Sequence, residues 1–188
     1  MPEFKVYTTI EAPYEIVWEM ASIVENVERW SPVRFKNVAP EETIRNGVNL
    51  IQTQKQFGVF GAKELTVVDA YKDSRVRRQF SFADVDDPYK FNRVTYMFDD
   101  NSISTMIELA DDEETKEVLR EQAPEEKEFQ VDVMAHVFYT FGSSFWRSMV
   151  EALFISPFFK LLFQRKVVKS LEKLKTLCEE KAGQPEPA

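Results

Sequence analysis

His136 is the only histidine in the chain and Cys178 the only cysteine. One of each cannot build a histidine cluster or a thiolate zinc site, so neither a metal nor another cofactor is expected. Among only five glycines no phosphate-cradling loop occurs, and no serine sits in a nucleophile-elbow sequence. His136 lies in "VDVMAHVFYTF", a type of residue able to move protons near neutral pH or simply to serve as a satisfied structural ring. Together with Arg93 and Tyr96 it forms the candidate catalytic set. Arg78 and Arg93 stand beside aromatic positions, where a guanidinium can orient a ligand carboxylate or carbonyl, or can merely face solvent. The acid pairs Asp86–Asp87, Asp99–Asp100 and Asp111–Asp112 coincide with turns and read as solvated turn carboxylates. Cys178 reads as a small apolar residue on a helix.

Rings are more plentiful than reactive groups. Aromatics make up 13% of the chain, with phenylalanine at 16 positions. Phe4, Trp18 and Phe80 are expected in the core. The strands are read as offering rings on both faces, at Phe80 and Phe82 and at Tyr96 and Phe98. A cavity walled by Trp30, Phe57, Phe80, Phe82, Tyr96 and Phe138 would take an apolar ligand. Trp146, Val150 and Phe154 would close it, and Arg78, Arg93 and His136 would supply the polar contacts. A tightly filled core is the equal alternative.

A chain of 188 residues suits one domain, placed at residues 1–182 with a tail over 183–188. One cysteine points to a reducing compartment, the N-terminus lacks a secretory pattern, and the cytoplasm is the expected setting. The net charge of −8 argues against nucleic acid. The uncharged run at 152–159 is too short to span a bilayer, which takes about 20 apolar residues. That run, in "EALFISPFFKLLF", instead suits a helix over a cavity, a self-association surface or a membrane dock. The last option draws support from "QFGVFGA" at 56–62 and from Arg165, Lys166 and Lys169. Monomer and homodimer both stay open.

The elements that must position these groups are marked by period and punctuation. Residues 3–11 alternate as a half-buried strand, and Pro13 opens a helix carrying Tyr14, Val17, Trp18 and Ala21 on one face, with Ser22 turned away. Ser22 to Glu25 has capping-box spacing and predicts a second short helix ending before Ser31–Pro32. Strands are predicted near 33–39, 48–57, 62–72, 75–82, 90–99, 103–110 and 127–141, antiparallel because the turns are short. The charged stretch 111–127 reads as an exposed excursion containing a short helix. Ser156–Pro157 is a helix start, dividing a segment at about 144–155 from a helix over 157–182.

The junction "IEAPYEIVWEM" followed by "VERWSP" resembles the START-like (SRPBCC) superfamily, most closely its polyketide cyclase/dehydrase and lipid-transport branch. The resemblance implies an α+β helix-grip fold: a curved antiparallel sheet around a long C-terminal helix, with two short helices after the first strand. It also implies a hydrophobic small-molecule partner (a lipid, isoprenoid or polyketide-like ligand) bound and transported in the cavity between sheet and helix. A cyclase- or hydrolase-type enzyme and a chaperone-regulating module are the alternatives that the same superfamily offers.

Overall fold

The computed structural model describes residues 3–56, 59–71, 77–86, 93–122, 129–138 and 156–183; side chains at 53–56, 59–62, 71, 121–122 and 156–159 are not described. Strand β1 (Glu3–Ile10) leads into helices α1 (Tyr14–Ser22) and α2 (Val24–Trp30). Strands β2 (Val33–Phe35), β3 (Asn49–Gln56), β4 (Val59–Tyr71), β5 (Arg77–Asp84) and β6 (Arg93–Asp100) follow. Helices α3 (Ile103–Leu109) and α4 (Glu113–Gln122), strand β7 (Val131–Phe138) and helix α5 (Ser156–Ala182) complete the order. The strands form one antiparallel sheet in the order β1-β7-β6-β5-β4-β3-β2. This is the α+β helix-grip arrangement expected from the sequence.

Alternation gives the sheet an apolar and a polar side. In β1, Phe4, Val6 and Ile10 are buried while Glu3, Lys5, Tyr7 and Thr9 are exposed. Across in β7, Val131, Val133, Ala135 and Val137 continue the buried side. Helix α5 lies against β1, α1 and α2, turning Val167, Leu171, Leu174 and Cys178 inward. Leu171 and Leu174 are 1% and 0% exposed. Truncation of either to alanine should cost roughly 2–5 kcal/mol.

Several expected elements differ. The capping box at Ser22 does not form. Ser22 is the last residue of α1 and is buried, with its carbonyl accepting from Ile44 N–H at 2.7 Å. The extended Ile23 precedes α2 instead, in a bridge to Thr43. The expected strand at 33–39 stops at Phe35, two residues short of Asn37 with its left-handed φ of 54°. The expected strand at 103–110 is helix α3. Asp100, 8% exposed, organises the turn into it, accepting from Ser102 N–H at 3.1 Å, Ser102 Oγ at 2.6 Å and Thr105 Oγ1 at 2.6 Å. The excursion does contain a helix, α4. Asp112 precedes it and accepts from Thr115 N–H and Oγ1 at 2.6 and 2.8 Å.

Candidate functional site

The inner face of β5 and β6 carries the densest group of rings. Phe80 lies across from Tyr96, Arg78 from Phe98 and Phe82 from Val94. Residues two apart on a strand share a face, so Phe80, Phe82, Tyr96 and Phe98 all point inward, correcting the two-faced reading of these positions. Phe80 meets Phe82, Tyr96 and Phe98 with centroids 5.2, 5.3 and 5.8 Å apart. Trp30 of α2 meets Tyr96 edge-on at 5.3 Å, and Phe35 of β2 meets Phe82 at 6.3 Å. Trp18 of α1 closes the other end against Phe98 at 5.7 Å. These separations are those of favourable ring pairs.

Polar atoms in this wall divide into satisfied and unsatisfied. The Trp30 Nε1 donates to Met20 O at 3.0 Å, leaving only its ring for a ligand. Tyr96 is 5% exposed and stands among these rings. Burial alone lifts that phenol well above the usual tyrosine range, so it stays protonated and able to donate. Arg78 grips Glu15 through two bonds of 2.9 and 2.6 Å and lies over the rings of Tyr14 and Trp18. The Glu15 bond is the main reason its pKa rises, so the group is a fixed cation. Its Nε is buried without a hydrogen-bond partner.

Toward β2, β3 and β4 the inner face becomes more open. Phe35 and Val94 are half-buried there. Register puts Gln52 opposite Lys63 and Leu65 opposite Asp84, on the same face. Lys63 Nζ and Asp84 Oδ2 pair at 2.8 Å. Burial, the largest single influence, pushes the Asp84 carboxyl up. The Lys63 bond and charge, with the Asp86 N–H, outweigh it and hold the group below the usual carboxylate range. An apolar floor with a few oriented polar groups is the composition of a small-molecule site. Sequence reasoning missed Phe35, Lys63 and Asp84; the strand register was the signal for the latter two.

His136, Arg93 and Phe138 take the opposite side of the sheet. Register pairs Thr95 with His136 and Arg93 with Phe138, on the face shared with the exposed Lys5 and Glu3. His136 Nε2 lies 3.0 Å from Glu3 Oε2, and its ring lies 4.0 Å from that of Phe138. Arg93 pairs with Asp69 at 2.8 Å and donates to Thr95 Oγ1 at 3.1 Å, and that hydroxyl is 2.8 Å from Ser81 Oγ. The candidate set of His136, Arg93 and Tyr96 is therefore split across the sheet and does not converge on one reacting atom, because alternate residues of a strand point to opposite faces. Phe57, Trp146, Val150 and Phe154 lie outside the described residues, as does the expected helical segment at 144–155. Helix α5 does begin at Ser156.

A pocket of about 790 Å³ opens beside Trp18, walled by Glu42, Thr43, Ile44, Arg45 and Asn46. Of its lining only Trp18 belongs to the ring-lined face. A groove of about 600 Å³ runs between α2, β2 and α5. No helix is long and apolar enough to cross a membrane.

No protein-family model matches the chain, and comparison with curated proteins gives no significant match. Solved structures do match. TTHA0849 from Thermus thermophilus superposes with a TM-score of 0.55 at 16% identity, over 97% of this chain and 100% of that one. The Zhui aromatase/cyclase from Streptomyces sp. R1128 gives 0.55 at 12% identity, over 100% of this chain and 99% of that one. The di-domain ARO/CYC BexL from the BE-7585A biosynthetic pathway gives 0.51 at 12% identity, over 97% of this chain and 51% of that one. At such identities the likeness speaks to architecture. A seven-stranded antiparallel sheet, two short helices after its first strand and a long C-terminal helix, superposing on nearly the full length of two solved structures, give the chain the helix-grip fold.

Proposed function

We propose that the protein binds a hydrophobic small molecule of lipid, isoprenoid or polyketide-like character on the inner face of its sheet, beneath the C-terminal helix, and carries it without chemical change. The observation that carries this reading is the ring-lined inner face, where Tyr96, its hydroxyl kept protonated by burial, stands among Trp30, Phe80 and Phe82. A ligand carbonyl that accepts from this hydroxyl would gain a hydrogen bond worth about 1 kcal/mol net. Phe35 and Val94 extend the apolar floor, and Lys63 with Asp84 marks its polar end. The names of two solved structures with this fold, both aromatase/cyclases, support a flat apolar molecule as the class of ligand. Binding is favoured over catalysis because Arg93 and His136 face away from Tyr96.

Titration with an environment-sensitive apolar dye tests the proposal. Saturable binding at one dye per chain, reversed by a competing long-chain alcohol or sterol, is the expected outcome. A well-folded sample that leaves the dye in water at concentrations saturating other carriers would refute it.

A further inference from the structure

The charge of this chain is unevenly placed. Acids exceed bases by eight overall, yet from Ser156 to Leu171 helix α5 holds Lys160, Arg165, Lys166 and Lys169 and no acid; Glu172 is the first. The groove between α2, β2 and α5 gathers Arg29, Arg34, Lys166, Lys169 and Lys173, with Glu28 the only acid in its lining. Glu28 is already engaged, accepting from Phe35 N–H at 2.7 Å and lying 3.4 Å from Arg34 Nη1. Among the described residues, Arg29, Lys166, Lys169 and Lys173 make no ion pair, and all four are exposed. Four unpaired cations around one concavity repel each other, and an anion seated there removes that repulsion.

An apolar feature sits beside them. Helical spacing puts Leu162, Lys166, Lys169 and Lys173 in one outward stripe, with Leu161 and Arg165 flanking it. Leu161 is 57% and Leu162 40% exposed. Paired exposed leucines next to a lysine and arginine stripe are the composition of a helix that lies in a membrane interface, its apolar residues among the acyl chains and its cations at the phosphates.

We propose that this end of α5, with the groove beside it, docks the protein onto an anionic phospholipid surface. Lipid phosphates occupy the groove among Arg29, Lys166, Lys169 and Lys173, while Leu161 and Leu162 enter the interface. The acidic remainder of the chain is repelled by the same surface, which orients the molecule with this groove toward the bilayer.

The test is co-sedimentation of the full chain with phosphatidylcholine vesicles, with and without phosphatidylserine. Binding is expected only to the serine-containing vesicles and should weaken as salt shortens the screening length from about 10 Å at 0.1 M to about 3 Å at 1 M. The Lys166→Glu/Lys169→Glu/Lys173→Glu variant, checked for folding by circular dichroism, should lose about tenfold or more in partition coefficient. Leu161→Ser/Leu162→Ser should also weaken binding while keeping its preference for anionic vesicles, which guards the test if the charge variant fails to fold. Equal binding to both vesicle types overturns the proposal. So does full retention of binding by the folded charge variant. Absence of vesicle binding, with an acidic protein or inorganic phosphate captured instead, overturns it as well. None of these outcomes bears on whether a dye or ligand enters the inner face.

Discussion

Tyr96 and Phe80 lie opposite each other and differ in one atom that matters: only Tyr96 brings a hydroxyl into the ring cluster. If that hydroxyl waits for a ligand, its removal should not harm the empty protein. Tyr96→Phe is expected to leave the unliganded stability unchanged or raise it by about 1 kcal/mol, and to weaken ligand affinity about tenfold. Urea denaturation and ligand titration of the same sample check both halves; a loss of stability above about 1 kcal/mol would mean the hydroxyl has a structural role. Cys178 gives a second expectation at this scale. It is fully buried on α5, and burial pushes its thiol up to about 12, so almost no thiolate exists at neutral pH. A disulfide reagent should label it only as fast as the helix detaches, and labelling should accelerate with denaturant. Prompt labelling of the native protein would contradict the packing of α5.

At the scale of elements, the paired strands fix what each side chain can reach. Asp84 closes the polar end of the inner face against Lys63, and its carboxyl is held below the usual range. A depressed folded pKa adds stability above the unfolded value, roughly pH 4, and that stability is lost as pH falls through the folded pKa. Asp84→Asn should therefore flatten the acid limb of stability below roughly pH 4 and change little at pH 7 beyond the lost pair; an unchanged acid limb would contradict the pairing. The alternation of β1 and β7 was legible because one side is almost wholly apolar, and the helical stripe of α5 for the same reason. Helix α3 was not. "ISTMIEL" is rich in β-branched residues, and what starts the helix is the carboxylate of Asp100, read from sequence as a solvated turn acid. Similarly, Ser22 and Glu25 have capping-box spacing, but the Ile44 N–H pairs with the Ser22 carbonyl, a contact from another part of the chain. The ring wall was half legible: its rings on α2, β5 and β6 were named, while their common face needed the register of β5 on β6. His136 was named as a proton-transfer or structural ring, and only the pairing of β7 with β1 showed Glu3 to be its neighbour.

For the molecule as a whole, two surfaces follow from one chain: a ring-lined inner face, and a cationic groove on an otherwise acidic exterior. The first is the central claim. Native mass spectrometry of freshly purified protein, followed by solvent extraction, tests it most directly. The expected result is a folded species heavier than the bare chain by one small molecule, released into organic solvent, and reduced in occupancy in Tyr96→Phe. A folded protein at the bare-chain mass, which also fails to take up an apolar dye, would contradict it.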